Sequence, residues 1–289
     1  MDKRKILIQL DADEQASLFD RVVAVDAGAE VLFSHAGVQP EQVKDLVHGA
    51  IFTRGPKDLK STAIFIGGSQ VAAAEQLLRS ALSHMIPAFG LRVSIMLDAN
   101  GSNTTAAAAV RVATRHLVLQ GMKCLVLGGT GPVGRRAALL LGSLGAEVRL
   151  ASRDFKKAQE ACKEIQPPGA NARPLPFQVS NSRELLEALH GCALVISAGA
   201  PGVRLIDGAS LKQSADLKLA IDLNAVPPLG IEGLEVMDKG AQREGIIYYG
   251  AIGVGELKMK THKACIRKMF EQNDLVLDAL EIFDISKTV

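Results

Sequence analysis

Gly129-Thr130-Gly131-Pro132-Val133-Gly134 is the strongest chemical signal in this chain. Glycines spaced as G-x-G-x-x-G let a backbone turn approach a diphosphate, and a helix opening behind the turn aims N–H groups at the anion. The hexapeptide has the surroundings this chemistry requires. An apolar run at 123–127 precedes it as a buried strand, a helix follows through Leu141, and 147–151 reads as the next strand. Gly129 is expected to permit the tight turn, Gly131 to admit the pyrophosphate, and Gly134 to let helix and strand pack closely. Pro132 stands at the helix start, where its missing N–H costs little. With Thr130 and Val133, these residues predict a pyridine-dinucleotide site.

The end of the second strand selects the dinucleotide. A site for NAD usually places an acidic residue there for the ribose hydroxyls. This chain has Ala151-Ser152-Arg153-Asp154, with Lys156 and Lys157 close behind. Ser152 can hydrogen-bond, Arg153 can make a paired contact with a 2′-phosphate, and Lys157 adds positive charge. NADP is therefore expected. NAD stays open because Asp154 is acidic, although Asp154 also fits as the N-cap of the next helix. The competing reading makes the three cations the solvated start of that helix. Later strand ends add Ala198, Gly199 and Ala200, then Asn224, then Ala251 and Gly253 in a small-residue turn at 250–255.

The elements that position these residues follow the rhythm of βαβ units, in which short apolar runs alternate with amphipathic segments. Strands are expected at 6–10, 31–34, 63–66 and 93–97. Helices are expected at 41–47 and 69–84, the latter with Ala72, Leu77, Ala81 and Leu82 on its apolar face. An alanine-rich helix spans 102–120, opened by Ser102 or Asn103 and closed by Gly121. Further strands follow at 123–127, 147–151, 194–197, 219–222 and 247–249, then helical stretches at 262–270 and on to 285. The fold class is α/β. An N-terminal α/β domain (1–110) is expected beside a Rossmann-type, doubly wound parallel-sheet domain (111–264), with a cleft between them and 265–289 packing back on the first.

Composition excludes several classes. The chain has 289 residues, 48% hydrophobic, with 33 basic and 31 acidic side chains for a formal charge of +2. No excess of base is available for a nucleic-acid surface. No run approaches the roughly 18 apolar residues of a membrane span. Cys124, Cys162, Cys192 and Cys265 have neither metal-ligand nor redox spacing, so no metal is expected and the thiols read as reduced. A cytoplasmic enzyme fits.

Several segments resemble the NADP-dependent methylene-tetrahydromethanopterin dehydrogenases, some of which also use methylene-tetrahydrofolate. They are STAIFIGG at 61–68, MLDANGSNTTA at 96–106, the GTGPVG turn, Pro227-Pro228-Leu229-Gly230-Ile231, and 250–260. The resemblance runs from the first strand to the C-terminal helix, and it implies a pterin held in the cleft between two domains. It also implies hydride transfer from a methylene-pterin to NADP, leaving the methenyl form. The active-site lysine of the family maps onto Lys258, within Gly253-Val254-Gly255-Glu256-Leu257-Lys258. A homo-oligomer serving one-carbon metabolism, in methylotrophy and formaldehyde oxidation, is the corresponding expectation.

For the amino–amide edge of a pterin, a carboxylate is the natural two-point acceptor, and Asp20 and Asp98 are candidates. Asn100, Ser102 and Asn103 either bind substrate or cap the following helix. His262, four residues after Lys258, reads as a surface histidine. No Tyr-x-x-x-Lys motif is present, so cyclohydrolase activity is not expected. Two other readings remain at this stage. A shikimate- or quinate-type dehydrogenase would need a proton-handling lysine and aspartate, for which Lys57 or Lys60 with Asp98 fit poorly. A sensor that binds dinucleotide without turnover shares the same fingerprint.

Overall fold

The computed structural model of the protein describes residues 3–169 and 173–289. The chain opens with β1 (Ile6–Leu10), α1 (Leu18–Asp26), β2 (Val31–His35), α2 (Val43–Phe52), β3 (Thr62–Ile66) and α3 (Val71–Ser83). There follow β4 (Ser94–Leu97), α4 (Ser102–His116), β5 (Lys123–Leu127), α5 (Pro132–Ser143), β6 (Glu147–Ser152) and α6 (Phe155–Glu164). Next come β7 (Leu175–Gln178), α7 (Ser182–Leu189), β8 (Leu194–Ser197), α8 (Gly208–Gln213) and β9 (Leu219–Asp222). The chain ends with β10 (Lys239–Arg243), β11 (Ile246–Tyr249), α9 (Ala251–Lys268), β12 (Val276–Leu277) and α10 (Ala279–Ser286). Two units result. One comprises Met1–Thr104 and Met259–Val289, the other Thr105–Lys258.

The first unit is built on a parallel sheet in the order β12-β4-β3-β1-β2. All residues of β3 and β4 are buried, as expected of strands covered on both faces. Ile8, Ile64, Ile66, Ile95 and Leu97 pack with Val43, Val47 and Ile51 of α2 and with Leu77 and Ala81 of α3. The buried face of α3 is Ala74, Leu77, Leu78 and Ala81, whereas Ala72 is exposed and Leu82 is 37% exposed. At about 100° per residue, Ala72 lies about 160° from Ala74. Alanines are too weakly apolar to phase the helix by themselves.

The second unit carries the strand order β10-β11-β9-β8-β5-β6-β7, parallel except for the antiparallel β10. Counted from its own first strand, the six parallel strands run 3-2-1-4-5-6, the doubly wound Rossmann order. The order reverses between β5 and β8. Ligands of such sheets bind beyond the carboxyl ends of the strands at that switch point. All four cysteines are free and buried; burial pushes the Cys124 thiol up to about 12 and that of Cys162 up to about 11.

Two helix expectations change. The alanine-rich helix stops at His116 rather than continuing to 120. The small-residue stretch at 250–255 is no turn, because α9 begins at Ala251 and runs unbroken through Lys268. Gly253 belongs inside this helix because a Cβ there would lie 1.9 Å from the Asp238 carbonyl oxygen.

Candidate active site

The turn between β5 and α5 is shaped by contacts that only glycine allows. Gly128, not Gly129, takes the left-handed conformation at φ +66°, and a Cβ there would lie 2.7 Å from the Ala198 carbonyl and Gly199 Cα. The tight-turn role therefore moves one residue earlier than the fingerprint suggests. At Gly129 a Cβ would meet Leu150 Cγ at 2.5 Å, and at Gly134 it would meet Gly128 O and Gly129 Cα at 2.7 Å. Gly134 thus has the close-packing role expected of it. Gly131 is the N-cap of α5, with Pro132 as first helical residue, and no side chain caps that turn. Uncapped first-turn N–H groups at a switch point, ringed by glycines, fit the diphosphate of a dinucleotide. Thr130 and Val133 are partly exposed beside them.

At the end of β6, Ser152 Oγ accepts the Asp154 N–H at 3.2 Å. The Asp154 carboxylate accepts Lys156 N at 2.9 Å and Lys157 N at 3.2 Å, so it caps α6. Capping turns that carboxylate toward its own helix. Arg153 and Lys157 are exposed. At the end of β8, Ala198 N bonds back to Leu127 O at 2.9 Å. A Cβ on Gly199 would strike Leu205 Cδ1 at 2.7 Å, and Ala200 is exposed. Asn224, 5% exposed, accepts Val226 N at 2.9 Å and donates to Pro228 O at 3.3 Å. Ala251 and Gly253 stand in the first turn of α9.

In the first unit, Asp98 is the centre of a buried network. Its Oδ1 accepts Asn103 N and Thr104 N, both at 3.0 Å, and its Oδ2 accepts the Thr104 hydroxyl at 2.6 Å. Asp98 therefore caps α4, a role expected of Ser102 or Asn103. Ser102 donates to Ala99 O at 2.8 Å, while Asn103 Nδ2 donates to Leu97 O at 2.6 Å and to Asp278 Oδ1 at 2.8 Å. Asp278 in turn caps α10. Asp98→Ala is expected to cost about 3 kcal/mol of stability, since three donors lose a buried acceptor. A urea melt checks this, and a loss below about 1 kcal/mol would contradict the network's importance.

The remaining candidates are more open. Asn100 is exposed with φ +53°, a left-handed conformation that asparagine tolerates. Asp20 is half-buried in the first turn of α1, with its Oδ2 and Phe65 Cε1 at 3.0 and 2.9 Å from where a Gly67 Cβ would stand. His262 is no surface residue. It is 0% exposed, stacks on Phe65 with centroids 5.5 Å apart, and lies with Nδ1 3.7 Å from Asp98 Oδ2. It shares a buried helix stripe with Thr261, Cys265, Ile266 and Met269, a stripe that its lone polarity hid. Lys258 sits on the same helix, half-buried.

A family model described as methylene-tetrahydromethanopterin dehydrogenase, N-terminal, matches residues 18–100. The chain is 41% identical over 286 residues to the bifunctional protein MdtA of Methylorubrum extorquens, covering 98% of each. It is 31% identical over 297 residues, again 98% of each, to the NAD(P)-dependent methylenetetrahydromethanopterin dehydrogenase of that organism. The chain belongs to the methylene-tetrahydromethanopterin dehydrogenase family. A solved N5,N10-methylenetetrahydrofolate dehydrogenase-cyclohydrolase of Trypanosoma brucei, complexed with NADP cofactor and inhibitor, shares the fold. Its TM-score is 0.53 at 16% identity, over 93% of this chain and 87% of that one.

In this member of the methylene-tetrahydromethanopterin dehydrogenase family, the Pro227–Ile231 motif gains a physical reason. A Cβ on Gly230 would lie 2.2 Å from Ser197 Oγ and 2.8 Å from Asp222 Oδ1. Asp222 is fully buried and brackets the loop, accepting Asn224 N at 3.1 Å and Ile231 N at 3.0 Å. Burial pushes its carboxyl up, and those hydrogen bonds oppose the shift. Gly128 and Asp278 were missed by sequence reasoning, which places Asp222 at a strand end lining the cofactor crevice but not as the bracket of this loop. Only the doubled Gly128-Gly129 and the Asp278…Glu281 capping-box spacing signalled the missed pair.

Proposed function

We propose that this protein is an NAD(P)-dependent methylene-tetrahydromethanopterin dehydrogenase that removes hydride from the methylene bridge of the reduced pterin, leaving the methenyl form. The carrying observation is the glycine-ringed, uncapped start of α5 at the Rossmann switch point, in a chain alike over 98% of its length to the relatives above. Methylene-tetrahydrofolate is a second candidate substrate. The shikimate- and quinate-type reading is not favoured, because a relative alike over 98% of the chain is a methylenetetrahydromethanopterin dehydrogenase.

The dinucleotide, when bound, supplies the carbon that accepts hydride. Gly129, Thr130, Gly131, Pro132, Val133 and Gly134 would hold its diphosphate, with Ser152, Arg153 and Lys157 toward the adenosine ribose. Ala198, Gly199, Ala200, Asn224, Ala251 and Gly253 would border the rest. No proton moves in the hydride step, so the chain's contribution is orientation. For the pterin, Asp20 is the preferred carboxylate. The lone pairs of Asp98 already serve α4, and its side chain is buried. Asn100, exposed at the same strand ends, would contact substrate; Ser102 and Asn103 shape the loop that carries it. Lys258 would bind a polar edge of the pterin.

The reading extends to a cytoplasmic homo-oligomer in methylotrophic formaldehyde oxidation, supported by family membership. Among the described residues no helix is long and apolar enough to cross a membrane. The test is absorbance of reduced nicotinamide with methylene-tetrahydromethanopterin, methylene-tetrahydrofolate or shikimate as donor. Failure with both pterins overturns the proposal. Arg153→Ala is expected to weaken NADP at least tenfold more than NAD, as removing a paired phosphate contact should. Equal losses in a binding titration would remove Arg153 from the 2′-phosphate.

A further inference from the structure

We propose that Arg135 is a positioning residue for the dinucleotide, fixing the Thr130–Gly131 peptide of the glycine turn before ligand arrives. The inference rests on the dinucleotide reading above. Arg135 Nε donates to Thr130 O at 3.0 Å, while Gly131 N, the other end of that same peptide, donates to Gly128 O at 3.1 Å. One peptide unit is thereby held at both ends. Its orientation sets where the N-cap of α5 stands, and with it the first-turn N–H groups.

Neither partner is placed to favour its own helix. Arg135 puts a cation in the first turn of α5, and Glu164, with which it forms an ion pair, puts an anion at the end of α6. Both run against the helix dipole. With side chains 35% and 64% exposed, the ion pair adds little stability. Its consequence is geometric: the carboxylate takes Nη1 and leaves Nε aimed at the Thr130 carbonyl. An arginine fork serves the two acceptors from two separate nitrogens held in one plane, whereas a lysine ammonium offers a single nitrogen that cannot stand at both places.

The test is calorimetric titration of the full chain with NADPH and with NADH, using Arg135→Leu and Arg135→Lys. Both variants are expected to bind both dinucleotides about tenfold more weakly, the scale of one charge-assisted hydrogen bond. The kcat and pterin KM at saturating dinucleotide should stay within about twofold of the native values, since the fixed peptide serves the diphosphate rather than the reacting carbon. Full affinity in Arg135→Lys would show that charge alone matters and overturn the inference. So would a loss confined to NADPH, which would mark a 2′-phosphate contact, or no loss in either variant. Where Arg135→Leu fails to fold, Arg135→Lys decides. A native chain that binds neither dinucleotide refutes the functional reading itself, and needs no variant to reveal it.

Discussion

Replacing Lys258 by alanine is expected to lower kcat about a hundredfold, the scale of losing a contact that orients the substrate for reaction. Affinity for NADP should stay nearly unchanged. The reaction builds positive charge on the pterin as hydride leaves. An ammonium about 4 Å from that charge would oppose it by about 4 kcal/mol at an effective dielectric of 20. Lys258 therefore belongs at a carbonyl or carboxylate of the substrate rather than beside the reacting carbon. Its place on the 18-residue helix α9, half-buried and beyond the glycine-rich first turn, gives the side chain a rigid base. Arginine at this position should not rescue, because its planar fork differs in reach and shape from an ammonium. Steady-state kinetics paired with a dinucleotide titration checks the split. Normal turnover in Lys258→Ala would return this residue to an ordinary solvated helix face.

The second large effect is expected from Gly128→Ala, which should abolish measurable dinucleotide binding and destabilise the fold by about 3 kcal/mol. Two costs add. The left-handed φ of +66° disfavours any Cβ, by about 1–2 kcal/mol. The methyl would also press on the Ala198 carbonyl and Gly199 Cα at 2.7 Å, backbone atoms that cannot rotate away. Relief requires β5 and β8 to part at their carboxyl ends, where the proposed diphosphate site is built. Gly49→Ala is the contrast. It lies in the middle of α2 with nothing within 4 Å of the new methyl, so it should stabilise by up to about 1 kcal/mol. Urea melts and NADPH calorimetry on both variants measure the difference. Native affinity and stability in Gly128→Ala would contradict the packing argument.

Strands were legible where apolar runs were long and bounded. Those at β1, β5, β8 and β9 begin and end at the residues that periodicity indicates. Short or weakly apolar elements were not. β7, α8, β10 and the two-residue β12 carry little pattern of their own and are defined by the neighbours they pair with or cover. The same contrast holds at the site. The glycine fingerprint located the turn, yet the tight-turn residue proved to be Gly128, since only the approach of Ala198 and Gly199 from β8 reveals it. Asp98 and His262 show the limit from the other side. A strand-end carboxylate gives no sign that it caps the helix a few residues on, and a lysine-rich helix suggests a surface histidine, whereas Asp98 is buried against Asn103 and Thr104 and His262 is buried against Phe65, far away in sequence.

What the amino-acid sequence by itself determined was local: alternating apolar runs, a glycine turn between strand and helix, basic residues at the second strand's end, and the stretches that carry the family. These follow from backbone geometry and side-chain chemistry within a few residues. Tertiary structure alone decided which polar groups are already spoken for. Asp98 caps α4, Asn103 holds the cap of α10, Asp222 brackets a loop, and Arg135 steadies the glycine turn. A hydrogen-bond partner many residues away leaves no periodic trace, and burial depends on what packs above a side chain rather than on its type.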